Sequence, residues 1–244
     1  MNGSPSCCQV PGAVEYSRSA LKKPIMNSSP VAGIVPVSPA IQVLARFFSW
    51  LFHPLLIGLY MVIYLIFINP EYFIGMNAQG KVQTLFIYII NSVLFPLVSV
   101  LLCKGLGFVQ SVYLKTQKER IIPYAVSMVF FFWTFYVFKN KQDIPAIMAQ
   151  VSLGIFLSVI IDFIANIFFK ISMHATAAGG VLGLFTVLLF TSAGFTGIFL
   201  AVAILITGII CTSRLIVSDH RMGDIVAGLI AGFISQWGAA WFLG

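Results

Sequence analysis

Seven apolar segments, each close to the length that crosses a lipid bilayer, follow one another between residues 54 and 242. They run approximately over 54–69, 82–102, 121–138, 146–169, 176–192, 195–211 and 223–242. A membrane-spanning helix needs about 20 apolar residues, with a range of roughly 17 to 25. The segments do not alternate with period two, as the strands of a membrane barrel would. The sequence therefore predicts an all-α, polytopic transmembrane helix bundle of about six to seven spans.

The composition agrees with a membrane protein. Of the 244 residues, 59% are hydrophobic and only 9% are charged, whereas about 25% of the residues in a soluble domain are charged. The formal net charge of +7 is compatible with anionic lipid headgroups, with phosphorylated substrates and with basic residues that flank membrane spans.

The first fifty residues differ from the rest. A tail rich in Ser, Pro, Gly and Asn leads to an interfacial segment, Ile41 to Phe52, with Arg46 and Trp50 at headgroup depth. Because proline is tolerated in the first turn of a helix, Pro54 marks the start of the first span. We therefore divide the chain into a polar tail with an interfacial segment, 1–50, and a transmembrane domain, 51–244. His53 is interpreted as an interfacial residue.

A concentration of ionisable groups lies between the last two apolar segments, in the sequence SRLIVSDHRMGD, residues 213–224. The whole chain has only three histidines and seven Asp or Glu residues. Asp224 follows His220 by one helical turn and could orient its ring, although a polar pair at a helix start has the same spacing. Arg214 carries a planar fork of donors that suits a phosphate group. The combination favours phosphoryl transfer through a histidine nucleophile.

Counting spans from the tail places three polar segments on the same side of the membrane. They contain Lys115, Lys118 and Arg120, then His174, then Arg214 and His220. We expect these segments to converge on one active site.

The residues 213–224 resemble the third motif of the type 2 phosphatidic acid phosphatase family, S-R-x5-H-x3-D. All four fixed positions match, at Ser213, Arg214, His220 and Asp224. The resemblance covers roughly residues 100 to 244 and implies the helical core that this family shares with vanadium haloperoxidases.

The two other motifs of the family match less closely. ISMHATAAGG resembles P-S-G-H at Ser172 and His174, with Ile171 and Met173 in place of Pro and Gly. KTQKERIIP resembles K-x6-R-P at Arg120. The residue after Arg120 is Ile121 instead of proline, and the proline comes two positions later, at Pro123. Lys115 or Lys118 would take the place of the motif's lysine.

The resemblance implies a role for each matched residue. His220 would attack phosphorus and form a phosphohistidine, Asp224 would orient His220, and His174 would act as general acid and then as general base. The remaining residues would bind the phosphate group: Arg214, Arg120, Lys118, Lys115, Ser172 and Ser213. No metal ion or other cofactor is expected, because the arginines and lysines supply the positive charge. The expected partner is a membrane lipid phosphate, and no nucleic acid is expected.

The resemblance implies a phosphatase that hydrolyses a phosphomonoester or pyrophosphate lipid. Two other functions remain open on the sequence. A lipid phosphotransferase would use the same histidine with an alcohol as acceptor. A non-catalytic lipid-binding or transport protein could keep the fold after the first motif had diverged.

The side of the membrane is also open. The family's site faces the periplasm, on the outer side of the bacterial inner membrane. Eleven of the 14 Lys and Arg residues lie on the side of the motifs, however, and three lie on the other (Lys81, Lys139 and Lys141). By the positive-inside rule this distribution favours a cytoplasmic site. Six of the eleven are candidate site residues or lie in the distal tail, however, and the remaining five against three do not decide the side. We therefore expect the site to face the periplasm, as the resemblance implies.

Two features inside the spans invite an interpretation. Asp162, Asn166 and Lys170 form a polar stripe on the fourth span, either lining a headgroup site or pairing helices. Gly228 and Gly232 predict close helix packing in the last span.

Overall fold

The structure, a computed structural model, describes residues 38–107, 117–191, 197–217 and 220–244, with the backbone alone at Pro70 and over 117–120. In these residues the chain forms nine α-helices and no strand. They are α1 (Pro39–Leu51), α2 (Pro54–Ile63), α3 (Ala78–Tyr88), α4 (Phe95–Gly105), α5 (Gln117–Asn140), α6 (Ala146–Phe168), α7 (Met173–Thr191), α8 (Gly197–Val217) and α9 (Met222–Leu243). A π-helical turn, Tyr64–Ile68, extends α2, and another, Ile89–Leu94, joins α3 to α4. A 3₁₀ turn, Pro70–Phe73, lies between the first of these π-helical turns and α3. Residues 1–37 of the predicted tail lie outside the described residues.

Six stretches of the described chain are long and apolar enough to cross a membrane. They are Ala78–Gly105, Ile121–Asn140 and the four helices α6 to α9. The first predicted segment, 54–69, corresponds to Pro54–Ile68, which reaches a spanning length only together with α1, across a bend of 57°. The predicted all-α, multi-pass helix bundle is confirmed.

Two of the approximate helix boundaries differ from the structure at residues of the predicted motifs. The sixth segment was expected to end at 211, but α8 continues to Val217 and includes Ser213 and Arg214. The fifth was expected to start at 176, but α7 begins at Met173 and includes His174. The apolar pattern stops at these polar residues, whereas the backbone does not need to stop there. Arginine is a good helix former and is favoured in the last turn, next to the unpaired carbonyl groups.

The bend between α1 and α2 follows from Pro54. A proline disfavours helical geometry in the residue before it, and His53 is extended, with φ −64° and ψ 139°. Pro54 then occupies the first turn of α2, as predicted. The amphipathic helix α1 buries Ala45 and leaves Arg46 and Trp50 exposed, and it packs against α8.

The helices α7 and α9 approach closely through glycines. A Cβ atom on Gly232 would collide with the backbone oxygen of Thr176, and one on Gly228 would lie 2.8 Å from the oxygen of Ser172. The close packing predicted from these two glycines is confirmed. Gly179 and Gly183 of α7 face the backbone of α9 in the same way. The beginnings of α7 and α9 are therefore held side by side.

Candidate active site

Two chain reversals meet at one end of the bundle. One joins α6 to α7 and contains Ser172, and the other joins α8 to α9 and contains His220. The backbone N–H of Ser172 donates a hydrogen bond of 3.3 Å to the backbone oxygen of Asp224. The segments that carry the second and third predicted motifs are thus in direct contact.

His220 and Asp224 face each other at the start of α9. His220 is buried, with 8% of its surface exposed, and its Nδ1 lies 3.6 Å from Oδ2 of Asp224. A side-chain contact of 3.6 Å is too long for a hydrogen bond, so the contact is an electrostatic one. The same Oδ2 accepts a hydrogen bond of 2.9 Å from the backbone N–H of Arg221, which fixes the carboxylate at the helix start. Since Nδ1 faces the carboxylate, Nε2 is the ring nitrogen directed away from it.

His174 is the second residue of α7 and is half-buried. Its Nε2 lies 3.0 Å from the backbone oxygen of Ser49 in α1. A carbonyl oxygen only accepts, so this nitrogen carries a proton and Nδ1 is the acceptor when the ring is neutral. Arg214, His53 and His220 all lie close enough to His174 to act on its charge. The site therefore joins residues from α7, α8 and α9 with the bend between α1 and α2.

Ser213 and Arg214 lie near the end of α8. Ser213 is buried, and Arg214 is half-buried with a buried Nε atom. The charge of Arg214 acts on His53 as well as on His174. A guanidinium at a helix C-terminus is also stabilised by the local carbonyl groups, so its position alone has a structural explanation. This end of the bundle therefore combines one guanidinium with two imidazoles, while the Asp224 carboxylate lies beside the third.

Ser172 precedes α7 and is completely buried. Its Oγ has no hydrogen-bond partner among the residues that the structure describes. A buried hydroxyl that makes no hydrogen bond costs free energy, about 1–3 kcal/mol, and needs an explanation. The backbone N–H groups of the first turn of α7 also lack partners within their own helix. An anion bound at this position would accept hydrogen bonds from the Ser172 hydroxyl and from these backbone N–H groups.

The predicted basic residues at the start of α5 are only partly described. Lys115 lies outside the described residues, and for Lys118 and Arg120 the structure describes the backbone in the first turn of α5. Pro123 and Tyr124 lie one turn further along α5 and line a cavity that also contacts His174. The beginning of α5 therefore lies near the site, as the span count predicts.

This cavity has a volume of about 240 Å³ and mostly apolar walls. Along α7 it extends from His174 to Gly180, which is about 9 Å at 1.5 Å per residue. Asp162 of α6 contributes a buried carboxylate to the wall and accepts a hydrogen bond of 2.7 Å from the hydroxyl of Thr176. Asp162 thus both pairs helices and lines the cavity, and its neighbour Asn166 is buried as well. Lys170, the third member of the predicted stripe, lies beyond the end of α6.

Sequence reasoning missed two contributions to this end of the bundle. His53 was interpreted as an interfacial residue, yet its ring packs edge-on against His174, with the ring centroids 5.7 Å apart. The Ser49 carbonyl could not be found from any motif. The available signal was the rarity of histidine, because all three histidines of the chain gather here.

In the described residues no group of three His, Cys, Asp or Glu side chains is arranged to hold a metal ion.

Comparisons with family models, with curated proteins and with solved structures give no match. The function of the chain is therefore inferred from the residues of this site.

Proposed function

We propose that this chain is an integral-membrane lipid phosphate phosphatase of the type 2 phosphatidic acid phosphatase family. It hydrolyses a phosphomonoester or pyrophosphate lipid through a phosphohistidine intermediate. The main support is the contact between the two motif segments, in which the backbone hydrogen bond from Ser172 to Asp224 brings the buried His220 and its partner Asp224 next to the start of α7. The match of Ser213, Arg214, His220 and Asp224 to the third motif supports it independently.

The first step is an attack by His220 on phosphorus. The lone pair of Nε2 forms the N–P bond while the P–O bond to the lipid breaks and its electron pair stays on the lipid oxygen. Nδ1 carries the ring proton and faces Asp224, whose negative charge stabilises the positive ring that develops. In the second step water attacks phosphorus, the N–P bond breaks, and its electron pair returns to Nε2.

The phosphate group is bound by donors from three elements. Arg214 of α8 provides a bidentate fork, and Ser172 provides a buried hydroxyl beside the N–H groups of α7. Ser213 and the basic residues of the first motif complete the proposed set, with Arg120 and Lys118 or Lys115 approaching from the start of α5. A hydrocarbon tail remains in the bilayer or enters the apolar cavity.

The proposed proton donor is His174, which gives a proton to the departing lipid oxygen and later takes one from water. Its Nε2–H is engaged by the Ser49 carbonyl. Acid catalysis by His174 therefore requires that this hydrogen bond opens or that a second proton is held at Nδ1.

The multi-pass membrane location follows from six apolar helices of spanning length. We propose, on the family resemblance, that the membrane is a bacterial inner membrane and that the site faces the periplasm.

The experiment is a panel of lipid phosphates presented to purified protein in detergent without added metal ions. The panel contains phosphatidic acid, phosphatidylglycerol phosphate, a polyprenyl pyrophosphate and a phosphorylated glycolipid, and the readout is released phosphate. Wild type should release phosphate from at least one lipid, and His220→Ala should release none. Met222→Ala is the matched control, because Met222 is exposed at the start of the same helix and has no role in the site.

Each alternative gives a different result in the same panel. A phosphotransferase would release the dephosphorylated lipid only when an acceptor alcohol is added. A transporter would move the lipid between vesicles and release no phosphate from any member of the panel. Phosphate release that survives His220→Ala would refute the proposed nucleophile.

A further inference from the structure

His53 lies outside every motif of the chain, yet it occupies the same end of the bundle as the predicted site. Its ring meets the ring of His174 edge-on, at a centroid distance of 5.7 Å and an interplanar angle of 79°. Both rings line the cavity that contains Asp162. Since His53 is also exposed, it lies where this cavity opens out of the protein.

The local backbone determines which nitrogen of His53 carries the proton. His53 is the residue before the first turn of α2, and its Nδ1 accepts a hydrogen bond of 3.4 Å from the backbone N–H of Leu55. A nitrogen that accepts a hydrogen bond has no proton of its own. The proton of the neutral ring is therefore on Nε2, and His53 presents a hydrogen-bond donor on the side away from its own helix.

The surroundings of this donor favour an anion. Arg214 acts electrostatically on both His53 and His174. An anionic group held by Arg214 next to these two rings would lie within the same cluster as the Nε2–H of His53. A role as helix cap explains the contact with Leu55 but does not require a ring that packs on His174. Asn or Ser caps a helix at least as well.

We propose that His53 is a phosphate-binding residue of this site, with its Nε2–H donating a hydrogen bond to a non-bridging phosphate oxygen. The proposal rests on the function proposed above, and it adds a third imidazole that the family motifs do not contain.

Two substitutions separate this role from the capping role. His53→Asn keeps a short acceptor for the N–H of Leu55 but withdraws the donor, because the Asn amide is too short to reach the position of Nε2. His53→Gln places an amide N–H near the position of Nε2 but is a poor helix cap. The two roles therefore predict opposite orders for the two variants.

The first readout is binding of inorganic phosphate to purified wild type and both variants in detergent, measured by calorimetry. The second is kcat/KM for the best lipid phosphate of the panel. Loss of a hydrogen bond to a charged group should weaken phosphate binding and lower kcat/KM on the order of ten- to a hundredfold in His53→Asn. His53→Gln should be affected less than His53→Asn in both measurements, although it should unfold at a lower temperature.

The proposal is overturned if the phosphate affinity and kcat/KM of His53→Asn stay within about threefold of wild type. It is also overturned if these two quantities decrease as much in His53→Gln as in His53→Asn. Failure of the underlying function is recognised separately, because His220→Ala would then remain active or wild type would release no phosphate. The binding measurement does not depend on turnover and tests His53 in either case.

Discussion

Replacing Gly228 with alanine tests whether the glycine contact between α7 and α9 sets the geometry of the site. A Cβ atom on Gly228 would lie 2.8 Å from the backbone oxygen of Ser172 and 3.1 Å from the backbone nitrogen of Thr176. Ordinary contact begins near 3.4 Å, so the two helices must separate here by about 0.6 Å. The same movement would stretch the 3.3 Å hydrogen bond from Ser172 to Asp224 to about 3.9 Å, beyond hydrogen-bond range.

Two effects of Gly228→Ala are expected. Overpacking should lower the free energy of unfolding by about 1–3 kcal/mol, more than the gain of up to about 1 kcal/mol from the better helix propensity of alanine. Phosphate release should fall on the order of tenfold, because a displacement of about 1 Å costs up to roughly a hundredfold in rate. Unfolding in detergent and kcat/KM are the two measurements.

Gly238→Ala is the matched control on the same helix. Apart from its chain neighbours and the backbone of its own helix, a Cβ atom at Gly238 would have no described atom within 4 Å. This variant should keep wild-type activity and equal or slightly higher stability. If Gly228→Ala has the same stability in detergent and the same kcat/KM as Gly238→Ala, the close contact of α7 and α9 does not control the geometry of the site.

Two further predictions concern phosphate binding and orientation in the membrane. Ser172→Ala should weaken the binding of inorganic phosphate about tenfold. It should not lower the stability of the protein, because the buried hydroxyl has no described hydrogen-bond partner to lose. Reduced stability with unchanged phosphate affinity would contradict the phosphate-binding role of Ser172. Met222→Cys places a thiol at an exposed position beside His220. If the site faces the periplasm, a membrane-impermeant thiol reagent should label this thiol in spheroplasts with an intact inner membrane. The labelling should exceed the background from the four native cysteines. Labelling only after the membrane is opened would place the site on the cytoplasmic side.

The spans and the helix packing could be predicted from the sequence because their signals are local. A spanning helix needs a run of about 20 apolar residues, which can be read directly from the sequence. Gly228 and Gly232 are spaced to lie on one face of α9. Pro54 fixed the start of α2 because its ring restricts the residue before it. The span count also indicated that His174 and His220 belong to the same end of the bundle.

The arrangement within the site depends on contacts that no local pattern contains. The 57° bend after α1 brings the Ser49 carbonyl to His174 and the His53 ring beside it. Span counting assigns a side to each residue but gives no distance between residues. His53 was therefore interpreted as an interfacial residue, although it packs against a candidate catalytic histidine.

The most direct test of the central claim is to trap the intermediate. Protein mixed rapidly with a lipid phosphate carrying a radiolabelled phosphate group is quenched in base and digested, and the labelled peptide is identified. We expect an acid-labile, base-stable label on His220 in wild type and in Met222→Ala, and none in His220→Ala. A label on another residue, or phosphate release by wild type without any covalent label under single-turnover conditions, would contradict the phosphohistidine mechanism.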